Sequence, residues 1–456
     1  MALSVGARIT LEVERPVAGG RMLARHQGQV VLVAGAIPGE TVEARVTRVA
    51  RGTVYADTVR MVTASPDRRP GVEGRCGGAV FGHIEYQRQV ALKAAIIEDA
   101  WRRIARLAVP APVHVVASPE YGYRSRARLH ARDGRLGFYR EGTHQLCDPA
   151  VTGQLGEATV AWIRQAEATL RMSGARSLAA VDVVENAEAT ERAGHLYFHG
   201  SEVPGELEAL AAGLTGLSAG PWEGDDDDER HGRPVDGRAV VLAGDPSVVD
   251  VITVSSSGQP TAVGEQPTTV SLRHGARSFF QGNRFLLAPL VHLVADAVPA
   301  GAVLDLFAGT GLFGLALAAD GRGPMTMVEG DVASGRDLTS NAAAAGAGLT
   351  VERQSVEGYL ATPRPGMPTW IVDPPRAGLP DAVRTAALRD RPDRIVYVSC
   401  DPATLARDVR ALVEGGYEVR SLTGLDMFPS TAHVEAICVL DLRPETTKDR
   451  RPKTED

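Results

Sequence analysis

One cysteine of this chain stands where a thiol could act as a nucleophile. Cys400 follows the apolar run 395–399, and Asp401 and Pro402 predict the N-cap and first residue of a helix that continues to position 414. A thiol before a helix gains thiolate character from the helix dipole, an effect that Asp401 partly opposes. The alternative is a cysteine that packs as a small apolar side chain, which is the expectation for Cys438 inside the run 436–440.

Two carboxylates, those of Glu435 and Asp373, also stand at the ends of apolar runs. Glu435 stands at the start of the last apolar run, where a buried carboxylate needs a partner or has a raised pKa. It is therefore a general base or one half of an ion pair with an arginine. Asp373 ends the run 369–373, and Pro374 and Pro375 then turn the chain outward. An Asp at this end of a strand lies in a ligand crevice, the alternative being a helix or turn cap.

A glycine turn offers a nucleotide site. Residues 303–311 predict a buried strand followed by a turn in which Gly309 and Gly311 let the backbone approach a ligand. Glu329 closes the next strand, at a spacing that suits hydrogen bonds to ribose hydroxyls. Gly314 falls inside the following helix, so the full dinucleotide fingerprint is missing. These features favour S-adenosylmethionine, with one ribose and no pyrophosphate, over another nucleotide or a fold that has lost its ligand.

Alternating strands and helices must position these groups. The predicted strands are 303–307, 325–329, 350–356, 370–373, 395–399 and 436–440, and the predicted helices are 312–319, 334–345, 381–388 and 404–414. This alternation predicts an α/β, doubly wound Rossmann-like domain over residues 269–443, with helices on both faces of a mostly parallel sheet.

The first 62 residues have a different pattern. Strand-like runs at 8–13, 29–33, 41–49 and 54–62 are separated by glycine turns and predict a small OB-type β-barrel. Such barrels often bind oligonucleotides, although a purely structural β-domain has the same pattern.

Residues 63–268 are expected to form an α+β central domain. A helix is predicted over 87–107, and residues 121–139 interleave arginines with aromatic residues. Such a stretch could bind phosphates and stack on bases, or could simply be the solvated face of an antiparallel hairpin. The acidic run near 223–236 predicts a surface loop, and residues 444–456 predict a polar tail.

Composition excludes some classes of protein. The chain has 456 residues and a net charge of −7, but its first 150 residues carry 22 Lys+Arg against 14 Asp+Glu, which favours a polyanionic partner for this part. The sequence contains no run of about 18 apolar residues, so a membrane span is not expected. Residues 1–11 do not suit a secretion signal, and four widely spaced cysteines exclude a dense disulfide framework, so a reducing cytoplasm is expected.

Taken together, these residues resemble the RNA uracil-C5 methyltransferases, a family that uses S-adenosylmethionine. Residues 1–62 are similar to the TRAM domain that precedes many members. Five motifs occur in the family's order: Phe279-Phe-Gln-Gly-Asn283, the turn 305–311, Asp373-Pro-Pro-Arg376, Ser399-Cys400-Asp-Pro and His433-Val-Glu435.

The resemblance implies roles for individual residues. Gln281, Phe307, Glu329 and Asp373 match positions that contact the cofactor. Cys400 matches the nucleophile and Glu435 the base. The implied reaction is attack of the Cys400 thiolate on C6 of a uracil, methylation at C5, and removal of the C5 proton by Glu435.

Two positions depart from the family pattern. Leu312 replaces an Asn that often follows the glycine turn, which predicts a missing or backbone-only cofactor contact. Some members bind a four-iron cluster through four cysteines, whereas here only Cys76 and Cys147 remain near the expected places. Two thiols cannot hold such a cluster, so no cluster and no other metal is expected.

Two other functions remain open on the sequence. One is methylation of an amino nitrogen of a base, which needs no thiol. The other is an RNA-binding folding factor with an inactive methyltransferase domain. The leading barrel favours large ribosomal RNA as the substrate, with transfer RNA second, and the chain is expected to act as a monomer.

Overall fold

We describe a computed structural model of the chain, which covers every residue except 1–2, 18, 51, 73–75, 174–176, 201–206, 223–238, 255–267, 347 and 445–456. The predicted acidic loop and all of the predicted tail except Pro444 lie outside the described residues. Within the described part, no helix is both long and apolar enough to span a bilayer.

The N-terminal strands form a closed barrel, as predicted. They are β1 (Arg8–Pro16), β2 (Met22–His26), β3 (Gln29–Ala34), β4 (Thr41–Ala50) and β5 (Thr53–Thr63), in the order β1-β2-β3-β5-β4. Alternate side chains of β1 point into the barrel, which explains the alternating pattern in its sequence. Strand β2 was not predicted because Met22, Leu23 and Ala24 are all buried, so the alternation is missing.

The central region forms a seven-stranded sheet. Its strands are β7 (Arg126–Arg132), β8 (Arg135–Tyr139), β9 (Leu146–Cys147), β10 (Leu178–Glu185), β11 (Arg192–Phe198), β12 (Gly216–Pro221) and β13 (Val240–Gly244), and helix α2 (Glu157–Ser173) packs on it. A separate pair, β14 (Ser247–Val254) and β15 (Thr268–Gly275), leads to the C-terminal region.

The arginine-rich stretch 121–139 contains the hairpin β7–β8. Several of its arginines bind within the protein: Arg128 forms an ion pair with Asp182, and Arg126 donates to the Ala276 carbonyl. Arg132 and Arg135 are exposed. A hairpin is present, but Arg126 and Arg128 are engaged in contacts within the protein rather than on a solvated face. Binding of phosphates or bases by the remaining arginines stays a prediction.

The C-terminal region is the doubly wound sheet that the sequence predicts. Its strands are β16 (Val303–Leu306), β17 (Met325–Val328), β18 (Leu349–Glu352), β19 (Thr369–Val372), β20 (Arg394–Ser399), β21 (Tyr417–Leu425) and β22 (Glu435–Leu442). Its helices are α3 (Leu287–Ala297), α4 (Leu312–Ala319), α5 (Val332–Ala345), α6 (Val356–Tyr359), α7 (Asp381–Asp390) and α8 (Pro402–Glu414). Helices α3–α5 pack in one apolar layer and α6–α8 in the other.

One strand of this sheet comes from far earlier in the chain. The strand order is β18-β17-β16-β19-β20-β22-β21-β6, where β6 is His114–Val116 and pairs in parallel with β21. Helix α1 (Tyr86–Ala100) precedes β6, and its residues Ile97 and Ala100 join the apolar layer of α6–α8. The segment 86–116 therefore packs as part of the C-terminal sheet.

Two predicted elements end early. The predicted helix 87–107 is α-helical only to Ala100 and continues as a π-helical turn, Trp101–Ala105, before Arg106 takes a left-handed conformation. The predicted strand 350–356 ends at Glu352, because the Ser355 side chain accepts a hydrogen bond from the Gly358 amide and caps α6.

Two of the four cysteines form a disulfide. Cys76 and Cys147 are bonded across a separation of 71 residues, whereas Cys400 and Cys438 are free. Cys438 is fully buried, as predicted.

Candidate active site

The groups singled out in the sequence meet at one edge of the C-terminal sheet. Strands β16, β17, β19 and β20 are parallel, so the glycine turn, Glu329, Asp373 and Cys400, which follow them, all lie at their carboxyl ends. Strand β22 runs antiparallel to β20, and its register pairs Ser399 with Ala436. Glu435 therefore enters the same edge beside Cys400, although β22 begins there rather than ends.

The conformation of the glycine turn is set by left-handed backbone angles and by hydrogen bonds to the Glu329 carboxylate. Phe307, Gly309 and Gly311 all have left-handed backbone angles. The Gly309 amide donates to Glu329 Oε2 at 2.7 Å, and the Asp331 amide donates to Glu329 Oε1 at 2.5 Å. Glu329 thus ties the turn after β16 to the turn after β17.

Replacing Gly311 by alanine is expected to destabilise the protein by about 1–3 kcal/mol. The φ of Gly311 is +97°, and a Cβ there would lie 2.6 Å from Leu315 Cδ1 and 2.8 Å from Leu338 Cδ1. Denaturant unfolding measures the loss. Gly321→Ala is the matched control, since Gly321 has a φ of +78° but nothing within 4 Å of its Cβ position. Equal stability of the two variants would contradict this account.

A pocket lies beside the glycine turn. Its lining comprises Phe279, Phe280, Gln281, Phe307, Ala308, Gly309, Thr310, Leu312, Phe313 and Asp373. Gln281 Nε2 donates to Asp373 Oδ2 at 3.3 Å, so these two polar groups lie together in the wall. Among the described residues, the buried Thr310 hydroxyl has no hydrogen-bond partner, and a Cβ on Gly309 would meet only the Phe279 carbonyl oxygen, at 3.9 Å. The pocket therefore offers the Thr310 hydroxyl and the open backbone at Gly309 to a ligand.

The structure gathers four of the six predicted cofactor residues in this wall: Gln281, Phe307, Gly309 and Asp373. Gly311 lies behind the wall against Leu315 and Leu338, where it shapes the turn. Glu329 is not part of the lining, but it holds the Gly309 backbone that is. Leu312, where the family often has Asn, lines the pocket with an apolar side chain.

Asp305 is a site residue that the sequence reasoning missed. It is fully buried, and its Oδ2 accepts a hydrogen bond from the Gly314 amide at 2.9 Å, which anchors the first turn of α4. The pKa of Asp305 is raised to about 8, mainly by burial and also by the charges of Asp373 and Glu329, against the effect of the Gly314 amide. A lone Asp within the apolar run 303–307 was the signal that could have found it.

Burial also raises the pKa of the two carboxyls nearer the thiol. The pKa of Asp373 is well above its usual range because Asp373 is desolvated and faces Glu435, although the hydrogen bond from Gln281 opposes this. Burial raises the pKa of Glu435 to about 8, against the positive charge of Arg376. Among the described residues Glu435 has no salt-bridge partner within 4 Å, so the ion-pair alternative is not what the structure shows.

The expectation of an acidic thiol at Cys400 is wrong. The pKa of the Cys400 thiol is raised to about 12, mainly by burial and also by the charges of Glu435 and Asp373, while Arg376 opposes them. The Asp401 carboxylate, which caps α8 by accepting from the Ala403 and Thr404 amides, adds to the rise in the pKa of Cys400. The predicted cap and Pro402 at the first turn are confirmed.

The fold and site together define a Rossmann-like methyltransferase preceded by a small barrel. The family described as tRNA (uracil-5-)-methyltransferase matches residues 366–443, and the TRAM domain matches residues 3–59. The 23S rRNA (uracil(1939)-C(5))-methyltransferase RlmD of Methylococcus capsulatus is 32% identical over 95% of this chain and 97% of its own length. The enzyme of the same name from Pseudomonas putida is 30% identical over 96% of this chain and 94% of its own. The chain belongs to the family of RNA uracil-C5 methyltransferases.

A solved structure shares the fold. The tRNA (uracil-54, C5)-methyltransferase of Pyrococcus abyssi, solved in complex with S-adenosyl-L-homocysteine, superposes with a TM-score of 0.73 at 23% identity. The superposition covers 94% of this chain and 99% of that one. The barrel, the central region and the doubly wound sheet therefore recur together in this architecture.

Proposed function

We propose that this enzyme methylates C5 of a uridine in structured RNA, with S-adenosylmethionine as the methyl donor. The observation that carries the proposal is the register of β20 and β22, which puts Cys400, directly after β20, beside Glu435, the first residue of the antiparallel β22. Asp373, whose charge acts on Cys400, lines the neighbouring pocket. Large ribosomal RNA is the favoured substrate, since the relatives from Methylococcus and Pseudomonas are named for 23S rRNA, and transfer RNA comes second.

The pocket residues suit this donor. When bound, S-adenosylmethionine supplies a methyl group on a positively charged sulfur, which a carbon nucleophile can attack. Asp305, Asp373 and Glu435 all have raised pKa values, so the crevice is rich in acidic groups that a nearby cation would help to ionise. The free Thr310 hydroxyl and the Gln281 amide provide hydrogen-bonding groups in the same wall.

Cys400 provides the first step. Once its proton has passed to solvent, the thiolate bonds to C6 of the uracil, and the C5=C6 electrons move onto the C4 oxygen as an enolate. The enolate returns electron density to C5, which bonds to the methyl carbon as the bond between that carbon and sulfur breaks. Cys400 is partly exposed, which leaves it open to a base that has left its stack.

Glu435 provides the second step. The adduct carries both a methyl group and a hydrogen on C5. The Glu435 carboxylate takes this proton, the C5–H electrons re-form the C5=C6 bond, and the bond from C6 to Cys400 sulfur breaks to return the thiolate. Arg376, which is exposed, lowers the pKa of both Cys400 and Glu435 and so favours the ionised form of each reacting group.

The rate at which methylated RNA is released from the covalent adduct is expected to rise with pH, by about tenfold per unit below pH 8. The pKa of Glu435 is raised to about 8, so its protonated form prevails at neutral pH and cannot accept the C5 proton. The raised pKa of Cys400 slows the earlier methyl-transfer step at low pH, so that step should accelerate with pH as well. Single-turnover rates between about pH 6.5 and 9 test this, with circular dichroism as the control for folding. A flat profile in a folded protein would refute the assigned protonation states.

The site of methylation is best tested in RNA from cells. Mapping of 5-methyluridine with and without the protein should show one or a few uridines that lose the methyl group when the protein is absent. Purified protein with radiolabelled donor should then methylate an unmodified transcript of the same region. If every 5-methyluridine persists and no transcript is labelled, the proposal fails.

A further inference from the structure

The loop 426–434, which joins β21 to β22, delivers Glu435 to the site. Within the loop, the Thr431 amide and hydroxyl donate to the Phe428 carbonyl (3.2 and 2.7 Å), and the His433 amide donates to Thr431 Oγ1 (3.2 Å). Ser430 has a left-handed φ of +63°, a conformation that a non-glycine residue rarely adopts unless its surroundings impose it. The path of this loop therefore depends on its surroundings as well as on its internal hydrogen bonds.

The backbone of residues 426–430 is bound by side chains that are remote in the sequence. The contacts are Asn283 Nδ2 to the Asp426 and Met427 carbonyls (3.5 and 3.1 Å), Lys93 Nζ to the Phe428 carbonyl (2.9 Å), Tyr123 Oη to the Pro429 carbonyl (3.0 Å), and the Ser430 amide to Gln89 Oε1 (2.7 Å). These partners, which we call the cradle, come from α1, the segment after β6 and the segment 279–285. Each of the five residues is held by at least one of them.

Lys93 is the charged member of the cradle. Its side chain is fully buried, and its ammonium group binds both the Asp426 carboxylate, itself fully buried, and the Phe428 carbonyl. A buried ion pair is weak evidence for stability, because desolvation of the two charges offsets much of their attraction. The two hydrogen bonds from the Lys93 ammonium group, to the Asp426 carboxylate and the Phe428 carbonyl, instead fix the position of the loop.

The cradle also connects the base to the cofactor pocket. Asn283, which binds the loop, lies two residues after Gln281, which lines the pocket and donates to Asp373. Asn283 further donates to Ser118 Oγ at 2.9 Å. The loop that carries the base and the segment that lines the donor pocket are therefore held by a common set of buried groups.

We propose that Lys93 is a positioning residue of the methyltransferase, whose buried ammonium group fixes the loop 426–434 and thereby the placement of the Glu435 carboxylate beside the adduct. The inference rests on the proposed role of Glu435 as the base. Lys93 touches neither RNA nor donor in this account and acts only through the loop.

The test is the double variant Lys93→Met/Asp426→Asn, which removes both charges at nearly constant volume and leaves no unpaired buried ion. A base displaced by about 1 Å is expected to lower kcat about 10²-fold, while KM for donor and RNA stays within about threefold. The covalent RNA adduct should accumulate, because proton removal is the slowed step. Tyr123→Phe, which removes only the hydroxyl bound to Pro429, should shift the same quantities less, and it keeps the proposal testable if the double variant fails to fold.

Arg394→Met/Asp441→Asn is the matched control. This ion pair joins β20, which precedes Cys400, to β22, which begins with Glu435, at the ends of the two strands that lie away from the site. Its removal should therefore leave kcat and the adduct level unchanged. A kcat within twofold of wild type in both cradle variants would overturn the role of Lys93, as would equal losses of donor affinity, RNA affinity and kcat. If Glu435→Gln traps the adduct and the Lys93 variants do not, only this inference fails. If Glu435→Gln turns over normally, the proposed mechanism fails and the inference with it.

Discussion

Replacement of Cys400 by alanine is expected to lower methyl transfer by about 10⁴-fold or more, the scale of loss seen when a covalent enzyme loses its nucleophile. Without the sulfur, no bond forms at C6 and C5 does not gain the electron density needed to attack the donor. Binding of S-adenosylmethionine should persist, since Cys400 is not part of the pocket lining. Transfer of label from the donor to RNA measures the first effect, and calorimetric titration with the donor measures the second.

Cys438→Ala is the control for this variant. Cys438 is the other free cysteine and is fully buried in β22, so its loss should reduce stability modestly and leave methyl transfer intact. Near-normal turnover of Cys400→Ala would rule out the covalent route and favour methylation of an amino nitrogen, which needs no thiol.

Replacement of Glu435 by glutamine is expected to trap the enzyme on its RNA. The amide preserves the shape of the side chain but cannot accept the C5 proton, so methyl transfer to C5 proceeds and release of Cys400 stalls. Turnover should fall about 10²–10⁴-fold, the usual contribution of a general base. A denaturing gel with labelled RNA would show the adduct as a band of reduced mobility.

The double variant Cys400→Ala/Glu435→Gln is the control for the trapped band. It should give none, because the bond to C6 requires the thiol. Trapping that survives loss of Cys400 would assign the linkage to another residue, and normal turnover of Glu435→Gln without a band would remove Glu435 from the mechanism.

The positions of Asp373, Cys400 and Glu435 along the chain could be predicted, but not all of the contacts that bring these candidate site residues together. Asp373 and Cys400 end apolar runs in an alternating α/β pattern, and in a parallel sheet such ends share one edge. Glu435 is different, because it begins its strand. It reaches the same edge only because β22 is antiparallel to β20, and that pairing depends on contacts between residues far apart in the sequence.

The charge states also depend on neighbours from different strands. The local sequence around Cys400 suggests an acidified thiol, yet Glu435 and Asp373, from two other strands, combine with burial to raise its pKa. The cradle could not be predicted from the sequence either, because its contacts join residues that are far apart in the chain. Lys93 and Asp426 are 333 residues apart, and a lone lysine in an amphipathic helix has the sequence signature of a solvated side chain.

The origin of strand β6 determines how the molecule can be divided. Residues 86–116 complete the C-terminal sheet. The chain therefore cannot be divided at one point into an N-terminal part that binds RNA and a C-terminal part that holds the candidate active site. A fragment of residues 269–443 leaves β21 as a bare edge, which invites association with other chains, and leaves Asp426 without its ammonium partner. During synthesis, the segment 86–116 emerges long before the strands it joins. The pairing of β6 with β21 therefore waits until β21 has been synthesised. An exchange of the N-terminal region between relatives has to keep residues 86–116 with the C-terminal sheet.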